Sequence, residues 1–182
     1  MLVHGAAGGV GTATIQVAKG MGARTIAVVS DDHKERVARD AGADEVLRSD
    51  SAWKDQAREL TSGGVDVVID PVGGDRFTDS LRSLREGGRV VVVGFTGGSI
   101  PEVRVNRLLL SNTEVVGSAW GASALSRPEL SREIGAAVAR LIEAGFVAPI
   151  VGARFPLAQA SEALKLIEGR GATGKVVLDV AP

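Results

Sequence analysis

Gly5, Gly8 and Gly11 recur at every third position in His4–Gly–Ala–Ala–Gly–Gly–Val–Gly–Thr12, directly after the apolar run Leu2–His4. Glycines so spaced between a strand and a helix leave bare backbone against which a dinucleotide diphosphate can lie. Gly5, Ala7, Gly8, Gly9, Val10 and Gly11 are the residues placed to meet it. The first helical turn adds amide donors and a partial positive charge. The pattern is G-x-x-G-x-x-G; Ala6 stands where the commoner G-x-G-x-x-G has its first glycine. A purely structural turn is the plainer alternative, and the strand before and helix after favour the phosphate loop.

The end of the second apolar run chooses between dinucleotides. An NAD site places Asp or Glu there to hold the ribose 2′-hydroxyl. This chain has Val29–Ser30, followed by Asp31 and Asp32. Ser30 can donate to a phosphate, Lys34 brings a positive charge, and Arg48 can add a fork of donors. The expected cofactor is therefore NADP(H). Asp31 and Asp32 oppose a phosphate if they face it, and serve as helix caps if they do not. The alternative for Lys34 and Arg48 is that they are solvated surface charges.

Hydride chemistry belongs to the nicotinamide, and the protein orients it. Pro71, Val72, Gly73, Gly94, Phe95 and Thr96 follow two strands and would line that side. No residue reads as a convincing acid or base. His4 is expected to make a structural hydrogen bond, His33 to be exposed, and Asp70 to brace a turn. Asp and Glu are scattered and the chain has no cysteine, so no metal set is expected. Trp53 reads as partly buried on a helix, and Trp120 falls in a loop.

Strand and helix signals alternate along the chain. Strands are expected at Leu2–His4, Thr25–Val29, Glu45–Leu47, Val65–Asp70, Arg89–Gly94 and Glu114–Val116. Helices are expected at Thr12–Met21, Asp32–Ala41, Ser51–Thr61, Arg76–Leu84, Val105–Asn112 and Glu129–Ala144. This alternation implies an α/β fold with a doubly wound parallel sheet, a Rossmann fold. Residues 1–150 form that domain. Residues 151–182 form a C-terminal segment: extended Ile150–Phe155, amphipathic helix Leu157–Glu168 and strand Gly174–Val180, a helix–strand extension. The stretch Gly117–Pro128 is expected to be the most mobile.

With 182 residues, 45% of them hydrophobic, the chain has room for a core. The net charge of −1 and 3% aromatics argue against nucleic acid as a partner. No apolar run approaches the roughly 18 residues of a membrane span. The composition is compatible with the cytoplasm.

These motifs together resemble the medium-chain dehydrogenase/reductase superfamily, specifically its zinc-independent quinone oxidoreductase branch. His4–Thr12 is similar to that branch's phosphate loop, and Ser30–Asp–Asp–His–Lys34 to its NADPH ribose-phosphate segment. Asp70–Pro–Val–Gly–Gly74 and Gly87–Gly–Arg–Val–Val–Val–Val–Gly–Phe95 resemble its fourth and fifth strands with their cofactor-side turns. Asn106–Asn112 resembles the helix before the sixth strand, and Ala172–Thr–Gly–Lys–Val–Val–Leu178 the closing strand. Lys175 in that closing stretch joins the cofactor-binding residues.

The resemblance implies NADPH-dependent hydride transfer to a small-molecule acceptor, a quinone or conjugated carbonyl. It also implies a homodimer paired through the sixth strand. A catalytic domain built mostly from an N-terminal barrel is expected to be absent from this chain, and the segment from Val151 would return to it. Many relatives carry a tyrosine shortly after the third strand; here the residues are Leu47–Arg48–Ser49, with Arg48 as the substitute. Two alternatives are a bare NADP(H)-binding module with no turnover of its own and the enoyl reductase domain of a polyketide synthase. A third is an interaction protein that keeps the fold and dimerises.

Overall fold

The computed structural model describes residues 1–180. Six strands form its main sheet: β1 Leu2–His4, β2 Ile26–Val29, β3 Glu45–Arg48, β4 Val65–Asp70, β5 Leu84–Val92 and β6 Glu114–Gly117. All neighbours pair in parallel, in the order β3-β2-β1-β4-β5-β6. The winding direction reverses between β1 and β4. In open sheets of this kind ligands bind at that reversal, beyond the carboxyl ends of the strands.

Both sheet faces are covered, which explains the nearly unbroken apolar runs in β1 and β2. Alternation sends Val3, Ala27 and Val29 to one face, where they meet Ile15 of α1 (Gly9–Gly20) and Ala38 of α2 (Asp32–Asp40). Leu2, Ile26, Val28, Val68 and Val90 point to the other face. There they meet Trp53 and Ala57 of α3 (Trp53–Leu60) and Phe77 and Leu81 of α4 (Phe77–Ser83). Each large aliphatic buried in this way contributes roughly 1.5–3 kcal/mol. The remaining helices are α5 Asn106–Ser111, α6 Trp120–Ser126, α7 Pro128–Glu143 and α8 Ala160–Glu168. No helix among the described residues is long and apolar enough to cross a membrane.

Three local expectations change. Strand β5 begins at Leu84, where the sequence reads as helix followed by a glycine turn. The β4–β5 register shifts between Val65 and Val67, and Gly88 lies there against three carbonyl oxygens. A Cβ on Gly88 would fall 2.9 Å from the Arg85 oxygen and 3.0 Å from that of Val65. The glycine pair is thus absorbed into a bulge rather than ending an element. Strand β5 also stops at Val92, two residues before Gly94.

The stretch Gly117–Pro128 is not an open loop, because α6 occupies Trp120–Ser126 and Pro128 starts α7. Proline suits the first helical turn, where its missing N–H costs nothing. In the C-terminal segment, β7 (Val151–Pro156) and β8 (Lys175–Asp179) pair with each other in parallel, connected through α8. Apolar surface stays open there, with Leu164 65% and Ile167 53% exposed.

Candidate functional site

The glycine loop leaves β1 through Gly5, whose φ of +56° lies in the left-handed region that glycine enters without cost. The Gly8 amide donates to the Gly5 carbonyl at 3.0 Å, so Gly8 serves by its missing side chain rather than as a donor. Its carbonyl accepts from the Thr12 amide and hydroxyl, both at 3.0 Å. The amides of Gly9, Val10 and Gly11 open α1 and have no intrahelical acceptor. That of Gly9 faces the Gly174 carbonyl in a parallel bridge between Gly8 and Gly174, which leaves those of Val10 and Gly11 as free donors.

Neither Gly8 nor Gly11 has a positive φ. A Cβ on Gly11 would fall on the Gly5 carbonyl oxygen and 2.5 Å from the Ala6 Cα. The missing side chain of Gly11 therefore lets α1 press against the loop. Gly8 has only one such neighbour, the Gly5 oxygen at 3.3 Å.

The C-terminal tail closes over this loop. The Gly174 amide donates to the Ala7 carbonyl at 2.7 Å, and Lys175 Nζ donates to the Gly9 carbonyl at 2.7 Å. Gln16 of α1 fastens the approach to β7 through both amide atoms: Nε2 donates to the Ala148 carbonyl, and Oε1 accepts from the Ala148 amide. Arg170 donates to the Gly97 carbonyl at 3.1 Å. Sequence reading names Lys175 but misses Gln16, Arg170 and the Gly174 amide. Only the repeated Gly in Gly169–Gly174 hints that backbone there comes close to something.

Ser30, Lys34 and Arg48 gather at the far end of β2. Lys34 Nζ donates to Ser30 Oγ at 2.9 Å, and Ser30 Oγ donates to Asp31 at 2.9 Å. Asp31 caps α2 by accepting from the Lys34 amide. That bond, joined by those from the Ser30 hydroxyl and the Lys34 ammonium, holds the Asp31 carboxyl down to about 2. Arg48 pairs with Asp32 and, at 3.1 Å, with Glu35. Both cations are thus partnered by carboxylates of α2, and Asp31 is turned into a cap.

On the other side of β1 the Pro71–Gly73 turn touches the glycine loop. A Cβ on Gly5 would meet Val72 Cγ2 at 3.2 Å. The Asp70 carboxylate braces the turn: Oδ1 accepts from the Val72 and Gly73 amides at 2.8 and 2.9 Å. The segment after β5 is laced to the same turn. The Thr96 amide and hydroxyl both donate to the Pro71 carbonyl at 3.0 Å, and the Gly97 amide donates to that of Val72. Gly94 lies against the Pro71 carbonyl, and Phe95, 41% exposed, lies against Gly73. The residues expected at the nicotinamide side thus form one connected rim.

His4 is fully buried below this rim, edge-on to Trp53 with ring centroids 4.9 Å apart. Its Nε2 lies 2.8 Å from Ser80 Oγ. Burial lowers its pKa to about 4, outweighing the nearby Asp70 carboxylate, so the ring is neutral.

A glycine loop, a polar cluster closing the second strand and a rim at the winding reversal define a dinucleotide-binding domain. The chain belongs to the zinc-binding dehydrogenase family, whose model matches residues 9–140. It is 40% identical to bovine quinone oxidoreductase-like protein 2, across 99% of this chain and 52% of that protein. A probable oxidoreductase from Mycobacterium abscessus is 41% identical with a TM-score of 0.86, covering 98% of this chain and 53% of that one. Escherichia coli quinone oxidoreductase complexed with NADPH is 31% identical with a TM-score of 0.86, over 98% and 56%. The chain spans about half the length of the curated relatives it matches.

The family name invokes zinc, but the residues do not fit it. The sequence has no cysteine, and no group of three or more His, Asp or Glu among the described residues could hold a metal ion.

Proposed function

We propose that this chain is the nucleotide-binding part of an NADPH-dependent oxidoreductase acting on a quinone or a conjugated carbonyl. The observation that carries this reading is the meeting of three elements at the β1–β4 reversal: the glycine loop, the Pro71–Gly73 turn and the Lys175 tail. The quinone oxidoreductase of Escherichia coli, solved with NADPH, has the same fold over nearly this whole chain.

The Val10 and Gly11 amides and the Lys175 ammonium receive the diphosphate. Gly5, Ala7, Gly8 and Gly9 leave it room. Ser30, Lys34 and Arg48 hold the 2′-phosphate, exchanging carboxylate partners for phosphate oxygens. Pro71, Val72, Gly73, Gly94, Phe95 and Thr96 orient the nicotinamide. When bound, NADPH would supply the hydride, and these residues would hold and orient it.

Two further readings follow from the same features. Residues 1–150 act as the nucleotide domain and 151–182 as the segment that meets the rest of the enzyme. The edge strand β6, paired among the described residues with β5 alone, takes a second copy of the chain to form a homodimer.

The test is a calorimetric titration with NADPH and NADH, followed by an assay with a simple quinone. NADPH is expected to bind more tightly, with little turnover from a chain half the length of its relatives. Binding without turnover identifies a nucleotide-binding module. Absence of heat with either nucleotide refutes the reading.

A further inference from the structure

His4 and Asp70 end adjacent strands. The register Leu2↔Val68 and Val3↔Ile69 makes them the next pair, and alternation sends both side chains to the face that holds Trp53. Both are fully buried, at 0% and 1% exposure. Each has one polar atom partnered and one not. His4 Nε2 meets Ser80 and Asp70 Oδ1 takes two amides, while His4 Nδ1 and Asp70 Oδ2 have no partner. Two such buried atoms on neighbouring strands are costly unless they satisfy each other.

A neutral imidazole carries one N–H, on either nitrogen. The Ser80 hydroxyl has two acceptors in reach, His4 Nε2 at 2.8 Å and the Arg76 carbonyl at 3.3 Å. The second is longer than an ordinary O–H···O bond, so the hydroxyl proton belongs on Nε2. The ring proton then sits on Nδ1, the nitrogen left without a partner. We propose that His4 is a positioning residue for the nicotinamide-side turn: protonated at Nδ1, it presents its ring N–H to the unpartnered oxygen of Asp70 on the next strand. That polar pairing favours the orientation in which the other Asp70 oxygen clamps the Val72 and Gly73 amides. A chain of contacts thus runs from Ser80 in α4 through His4 and Asp70 to the rim. The functional half of this inference rests on the function proposed above; the placement of the proton does not.

The placement is read directly from long-range ¹⁵N–¹H spectra of the full chain, with His33→Gln removing the other histidine. At neutral pH, Nδ1 is expected in the protonated range and Nε2 in the unprotonated range. The same pattern is expected in Ser80→Ala, where Asp70 alone sets the tautomer. Protonation at Nε2, or a charged ring, overturns the proposal whatever the chain binds.

The functional half compares NADPH with 2′-phospho-ADP-ribose, which lacks the nicotinamide. His4→Asn keeps a donor near the Nδ1 position and is expected to retain NADPH affinity within about threefold. His4→Leu is expected to lose ~10-fold, as for a hydrogen bond to a buried charge. Neither variant should change affinity for the truncated nucleotide. Equal losses for both ligands overturn the positioning role. Should His4→Leu not fold, a pair of His4→Gln and His4→Asn carries the comparison, with loss expected only in Gln. A parent chain that binds neither nucleotide refutes the function reading, and the spectrum still decides the tautomer.

Discussion

Lys175 Nζ donates to the Gly9 carbonyl at 2.7 Å, so the last strand of the chain ends its side chain on the first turn of the first helix. The Gly174 amide fixes the same crossing on the Ala7 carbonyl. A charge held at a helix N-terminus favours an anion there, and the diphosphate is common to both dinucleotides. Lys175→Ala is therefore expected to weaken NADPH and NADH by the same factor, roughly 10-fold for one charge-assisted bond. Paired titrations check this; a loss confined to NADPH would move Lys175 to the ribose phosphate.

Gly8 and Gly11 are expected to separate binding from folding. Gly11→Ala puts a methyl group into the Gly5–Ala6 backbone. Overpacking of this kind costs about 1–3 kcal/mol or more, since backbone cannot swing aside. Gly8→Ala meets a single backbone oxygen at 3.3 Å, which must give by a few tenths of an ångström, and is expected to cost the fold less than Gly11→Ala while putting its methyl group into the loop proposed to receive the diphosphate. Urea unfolding should show the larger loss for Gly11→Ala, and titration a loss of nucleotide affinity for Gly8→Ala.

At the adenosine end the carboxylates compete with the ligand. Lys34→Ala removes one charged donor and should weaken NADPH by ~10-fold or more while sparing NADH. Asp32→Asn should do the reverse. It releases Arg48 from one of its two carboxylates, and Asp32 is itself largely exposed, so the gain in NADPH affinity should be a few-fold. Equal effects on both nucleotides would remove the 2′-phosphate from this corner.

The sequence made much of this legible because local signals agreed with the fold. An apolar run before the glycine turn marked β1, β-branched residues marked β2 and β4, and a cap was one of the two roles open to Asp31. The misses share a cause. Gly87–Gly88 reads as a turn, but the backbone of β4 comes close enough to make glycine necessary inside a strand. The spacing of Gly11 does not announce that a side chain there would meet the loop's own backbone. Gln16 and Arg170 are ordinary helix and loop residues until the tail folds back on them from more than 70 positions away. Close approach between distant segments leaves no periodic trace.

His4 gives the fold a pH dependence whose direction follows from burial. Its pKa falls from 6.5 to about 4 on folding, chiefly through desolvation. Between those values the unfolded chain takes up a proton that the folded chain refuses, so acid favours unfolding. The stabilisation is complete above the unfolded value, declines as pH drops below 6.5 and is used up near 4. A shift of that size corresponds to about 3 kcal/mol, at about 1.4 kcal/mol per pH unit. Asp31, Asp44 and Asp66 are also held below their ordinary value of 3.8, so their losses come at lower pH. Urea midpoints from pH 7.5 to 4.5 should fall steadily in the parent. In His4→Gln, which has no titrating ring, the slope should flatten over that window even if the midpoint itself is lower. Parallel slopes would mean that another group titrates there and that the buried ring is not the neutral one described.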